Sequence, residues 1–200
     1  MDYRFDGWIG GLGRAAGLRA VVGHWPRSPF GPFTDVMVEL PDGHRVLLAP
    51  ARPIADFVAQ TYFDEVRIVP VTVSGAADKQ GRWRVEAGPL ALTADVAGRA
   101  ALGWLLRAVP RSVATAPWWV AAIDAVARRV LPGVRTVGSA GRGRREFYAA
   151  LDLRRIARAT VVWDGADQGA LAPVDPPVRF GFGSTPRKPS LARIVTLVRE

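Results

Sequence analysis

Residues 23–50 read GHWPRSPFGPFTDVMVELPDGHRVLLAP and hold both histidines of the chain together with its clearest hairpin. Pro41-Asp42-Gly43 supplies a pre-set φ, a side chain able to bond its own backbone and a residue free to take positive φ. It marks a turn between Thr34–Leu40 and His44–Ala49. With Asp42 and Gly43 as the loop, Glu39 faces Val46 and Met37 faces Leu48 on one side, while Val38 faces Leu47 and Val36 faces Ala49 on the other. Both faces are then largely apolar, which predicts a hairpin covered on both sides, by helices or by the closed interior of a barrel. Glu39 is the exception, a carboxylate on an apolar face.

Composition bounds the rest. A chain of 200 residues with 49% hydrophobic content suits a single globular domain, one that buries roughly 70% of its unfolded surface. Cysteine is absent, which excludes disulfides, thiolate metal sites and thiol nucleophiles and leaves the cytoplasm as the expected compartment. Met1–Asp6 has no apolar signal core, and no run reaches the ~18 apolar residues of a spanning helix, so the chain reads as soluble.

The net charge of +9 sits entirely in the second half, because residues 1–100 balance to zero. Residues 128–158 alone carry +7: nine arginines face only Glu146 and Asp152. Such a patch suits either solvation or an anionic partner, and the use of Arg for all but Lys79 and Lys188 is also what a GC-rich genome produces.

From the N-terminus, Tyr3–Trp8 reads as a short strand followed by a glycine-rich run. Gly11, Gly13 and Ala16 fit the dinucleotide fingerprint G-x-G-x-x-A, with Glu39 near the place of a ribose-binding acid. Arg4 and Asp6 in the preceding strand, the early stop at Gly23 or Pro26 and the hairpin after Glu39 all oppose that reading. A glycine-rich turn into a strand over Leu18–Trp25 is expected instead. Gly23-His24-Trp25 and Thr34-Asp35-Val36 resemble the G-x-W and T-D-x signatures of lipocalins; the resemblance implies no more than a barrel able to hold a ligand. The proline-spaced loop Pro26–Phe33 is stiff and partly apolar, as a pocket rim is.

A helix opens at Arg52-Pro53, with Ile54, Phe57, Val58 and Tyr62 on one face. Strands are expected at Glu65–Val73, Arg82–Glu86 and Leu90–Val96, the first two joined by the polar loop 74–81. Between about 98 and 131 the pattern becomes helical: Leu102, Leu105, Leu106 and Val109 form one stripe, and Trp119, Ala122, Ile123, Val126 and Val130 another. This predicts a helical hairpin packed on the sheet. Its Trp104, Trp118 and Trp119 among Arg99, Arg107, Arg111, Arg128 and Arg129 also have the composition of an interfacial membrane helix. Strand-like runs return at Ala159–Trp163, Val178–Phe182 and Leu191–Val198. The expected fold is α+β: a mainly antiparallel curved sheet or barrel of about ten strands, with one covering helix and the inserted helical hairpin.

Three functional expectations follow. The first is a protein binding an apolar small molecule, with Trp25, Phe30, Phe33, Met37 and Glu39 near the pocket mouth and Arg27 as a further ligand-binding residue. The second is docking on an anionic surface, lipid or nucleic acid, through Arg142, Arg144, Arg145 and Tyr148 in the basic loop 138–148. The third is an enzyme acting on an apolar acid, with His24 as acid or base near Asp35 or Glu39 and Arg27 orienting the anion. No cofactor motif stands out: the basic loop lacks the G-K-[ST] ending of a phosphate loop and no G-x-S-x-G elbow occurs. A conventional His-based metal site would need both His24 and His44.

Overall fold

The computed structural model describes residues 2–59, 63–75, 81–130, 134–139, 145–180 and 185–199. In chain order the elements are β1 (Asp2–Arg14), β2 (Arg19–Arg27), β3 (Phe33–Glu39), β4 (Arg45–Ala49), α1 (Arg52–Val58), β5 (Glu65–Ile68), β6 (Val71–Ser74), β7 (Gly81–Ala87) and β8 (Leu90–Arg99). Then follow α2 (Ala101–Ala108), α3 (Arg111–Ala114), α4 (Pro117–Val130), β9 (Val137–Ser139), β10 (Arg145–Trp163), β11 (Ala166–Asp167), β12 (Leu171–Ala172) and β13 (Ser190–Arg199). The fold is α+β, with a curled half-barrel sheet in the order β5-β4-β3-β2-β1-β13-β10-β8-β7-β6. Its ladders are antiparallel except that β4 and β5 run parallel.

The curl follows from the connection between its edges. β5 and β6 are the two ends of the strand order, yet only Val69 and Pro70 separate them in the chain. The run from Glu65 to Val73 reads as one strand, but Pro70 has no N–H to give a ladder. The two halves accordingly take different neighbours, β4 and β7. With its edges drawn together, the sheet buries Leu12, Val22 and Val38 from one flank against Trp83, Leu92 and Val161 from the other. Only the concave face can bring those flanks into one cluster.

The convex face has a core of its own, covered by α1, α2 and the segment around Phe180. The hairpin of β3 and β4 therefore has one face in each core: Val36, Val38, Val46 and Leu48 point inward, Leu47 and Ala49 outward. Its register differs by one residue from the two-residue-loop expectation, since Val38 pairs with Val46 and Glu39 with Arg45. The loop is wider because Leu40 N donates to His44 O, Gly43 N to Leu40 O and His44 N to the Asp42 side chain.

Other expectations shift as well. β1 continues through Gly10, Gly11 and Gly13 to Arg14, so no strand-to-helix turn exists for a dinucleotide. The glycines admit close neighbours instead: a Cβ at Gly11 would lie 1.7 Å from Thr185 Oγ1, and one at Gly13 2.1 Å from the Pro173 carbonyl oxygen. β10 is 19 residues long, where the sequence signals only its last five. Val178–Phe180 is a loop whose Phe180 is fully buried; Gly181 to Gly183 lie outside the described residues, as do Tyr62, Lys79, Leu131, Arg142 and Arg144.

The helical insert also packs by a different face. α2 sets Gly103 against β10, where a Cβ would meet the Leu153 carbonyl oxygen at 2.3 Å, and turns Leu105 into solvent. α4 buries Val120 and Asp124 and exposes Val126. An apolar stripe overlooks both rotations because the buried faces carry a glycine and an aspartate.

Candidate functional site

The inward side chains of β13 change character along the strand. Leu191 belongs to the concave core, and Val195 to a smaller cluster with Val120, Phe147 and Ala149 under α4. Arg193 lies between them. Register places Trp8 of β1 beside it on one side and Asp152 of β10 on the other, and His24 and Thr34 continue the row beyond Trp8. Asp6 is the next inward residue of β1. A polar band thus crosses the concave face between two apolar cores.

Arginines converge on this band from every side. Asp6, itself 5% exposed, accepts hydrogen bonds from Arg193, from Arg111 at the start of α3, and from Arg27 Nη2 at 3.1 Å. Arg193 also donates to the backbone oxygens of Gly7 (2.7 Å) and Ile194 (2.9 Å), and its guanidinium lies 5.6 Å from the Trp8 ring centroid. Arg99 Nε donates to both Asp152 oxygens, at 2.9 and 2.8 Å. Burial alone would raise the Asp6 pKa, but the bonds from Arg193 and Arg27 and the charges of Arg193 and Arg111 outweigh it and hold the carboxyl below its usual range.

Above the band lies a cavity of about 490 Å³, lined by Trp8, Leu151 and Asp152 from the sheet and by Leu106, Arg107, Val109, Pro110 and Arg111 from the α2–α3 turn. Arg99, Arg107, Arg111 and Arg193 all reach its wall. Among the described residues their ion pairs involve only Asp6 and Asp152, and Arg107 has no ion pair. Four guanidiniums against two carboxylates leave the cavity cationic, and its low-dielectric walls of Leu106, Val109 and Leu151 strengthen that field.

The residues expected from sequence are distributed around this site rather than gathered in it. His24 points inward one strand beyond Trp8, bonded to Thr34 Oγ1 at 2.8 Å, and burial pushes its pKa below the ordinary value. Asp35 and Glu39 are on the opposite, convex face. Asp35 accepts from Trp25 Nε1 at 3.0 Å, and burial pushes its carboxyl up to about 7 despite that bond. Glu39 is 1% exposed and takes Arg19 at 3.2 Å and Arg179 Nε at 2.7 Å, which accounts for a carboxylate on an apolar face. Trp25, Phe30 and Phe33 pack with Phe5 and Phe57, and Met37 lies against the same cluster. Arg27 alone of the expected ligand-binding set joins the polar band. Arg145 is exposed with its guanidinium 6.0 Å from the Phe147 centroid, and Tyr148 is half-buried.

Arg193, Asp6 and Asp152 were missed as site residues, although Arg193 and Asp152 are each a lone charge inside an apolar strand run (LARIV, AALDL) and Asp6 is set between Phe5 and Gly7-Trp8. No group of three or more metal-ligating side chains occurs among the described residues. Compared with known proteins, the chain matches no family model, no curated protein and no solved structure.

Proposed function

We propose that the protein binds a small amphipathic anion, an organic acid or phosphate ester with an apolar body, in the cavity between the concave sheet and the α2–α3 turn. The observation that carries this reading is the excess of guanidinium over carboxylate at a cavity of ligand size. Arg107 and the outer nitrogens of Arg111 and Arg99 offer paired N–H donors, which match the geometry of a carboxylate or phosphate. Leu106, Val109, Pro110, Leu151 and Trp8 supply the surface for the apolar part. The sheet-borne members are held by their ion pairs and by ladder register, so they are preorganised, which limits the ordering cost of binding.

Isothermal titration with a medium-chain carboxylate and with the alcohol of the same chain tests the reading. Binding of the acid, absence of binding by the alcohol, and weakening of the acid by Arg107→Ala are expected. Equal binding of both compounds, or an Arg107→Ala protein with unchanged affinity, would overturn it.

A further inference from the structure

The four most exposed large hydrophobic side chains among the described residues all belong to the helical insert: Leu105 (68%), Trp118 (64%), Trp104 (62%) and Val126 (58%). Trp8, Trp25, Trp83 and Trp163, by contrast, are buried in the two cores. Leaving two tryptophans in water forfeits a large apolar burial, and such exposure marks an interaction surface.

Charge identifies the partner. Residues 97–145 contain a single acidic side chain, Asp124. It is 4% exposed, facing inward to accept bonds from the Thr136 and Val137 amides at 2.7 and 3.2 Å. The outer surface of α2 and α4 consequently presents the exposed Arg107 and Arg129 with no carboxylate among them, and Arg99 rests 4.7 Å from the Trp104 ring centroid. We infer that α2 and α4 dock this protein on an anionic phospholipid surface, with Trp104, Leu105, Trp118 and Val126 entering the headgroup boundary and the arginines meeting lipid phosphates.

The aliphatic members favour lipid over nucleic acid, because Leu105 and Val126 have nothing to gain from bases or phosphates. A symmetric contact with a second copy would set the arginines against their own kind without a compensating acid. No described helix is long and apolar enough to cross a membrane, so the helices lie on the surface rather than span it. The apolar anchors Trp104, Leu105, Trp118 and Val126 are not part of the anion cavity, which shares Arg107 with this surface, so loss of the tryptophans and loss of anion binding are separate outcomes.

Co-sedimentation with phosphatidylcholine vesicles, with and without phosphatidylglycerol, tests it, comparing the wild type with a Trp104→Ser/Trp118→Ser variant whose fold is checked by circular dichroism. The wild type should partition to phosphatidylglycerol vesicles at least about tenfold more strongly than to phosphatidylcholine alone, and the variant should lose that preference by about the same factor. Wild-type protein that stays in the supernatant overturns the inference. So does vesicle binding that the folded variant retains in full, which would reduce the attraction to charge alone, and so does binding that a duplex oligonucleotide abolishes.

Discussion

Arg111, the first residue of α3, donates to the Asp6 carboxylate of β1, 105 residues earlier in the chain. The same carboxylate holds Arg193 of β13 and Arg27 of β2. One buried acid thus joins three parts of the sheet to the helical insert and fixes the floor of the cavity.

Asp6→Asn should therefore destabilise the protein. Breaking a fully buried ion pair costs about 3–5 kcal/mol, and because the Arg27 and Arg111 side chains are 69% and 55% exposed, solvent screening lowers the expectation to about 2–3 kcal/mol. The sign with pH is fixed: a carboxyl held below its usual pKa contributes stability above its unfolded value and loses it in acid. Urea midpoints of the two proteins should differ at neutral pH and converge as the solution is acidified.

Arg107→Ala is expected to behave in the opposite way. Arg107 is exposed and without an ion pair among the described residues, so its loss should change stability by less than about 0.5 kcal/mol. Affinity for an anionic ligand should nevertheless fall by about tenfold or more, as a charge-assisted bond is lost. Thermal melting and titration calorimetry on one preparation would check both halves.

Asp35 and His24 should give opposing pH slopes. The Asp35 carboxyl rises to about 7 in the fold, so stability falls with rising pH between its unfolded value near 3.8 and about 7 and is flat above. His24, held below its ordinary 6.5 by burial, makes stability fall as pH drops below that value. Asp35→Asn keeps an acceptor for Trp25 Nε1 and removes the first slope. The variant should gain most over wild type near pH 7 and above, by a few kcal/mol at most, each pKa unit being worth about 1.4 kcal/mol. Denaturant melts across that range measure it.

Gly11→Ala should destabilise the fold without reference to any nucleotide. The added methyl would sit 1.7 Å from Thr185 Oγ1 and 2.5 Å from its Cβ, and overpacking of this kind costs about 1–3 kcal/mol or more. A lowered melting temperature is expected, and addition of a dinucleotide should leave it unchanged.

The contrast between the two glycine readings shows what the sequence can carry. Alternation and turn residues reveal strands, so the two-faced hairpin at 34–49 and the α+β class were legible. The glycine run was ambiguous because a tight turn and a closely packed strand both require a missing Cβ, and only the position of Thr185 and Pro173 separates them. Pro70 was visible, but its effect depends on which strands flank it. The site was less legible than the fold, since its members come from β1, β2, β8, β10, β13 and the α2–α3 turn, and register alone brings them together. The aromatic residues around Trp25 were legible as a group, but their packing with Phe5 and Phe57 depends on segments distant in the chain.

The pairing of β1 with β13 has a temporal consequence. β1 finds β2 within a few residues, but its other neighbour begins at Ser190, and the register then runs from Gly11↔Ser190 back to Asp2↔Arg199. During synthesis the middle of the sheet stays open along this side of β1 until β13 has emerged, and the bond between Asp6 and Arg193, 187 positions apart, must wait for it. Such long-range closure makes for slow folding, and it delays completion of the cavity floor until the sheet is whole.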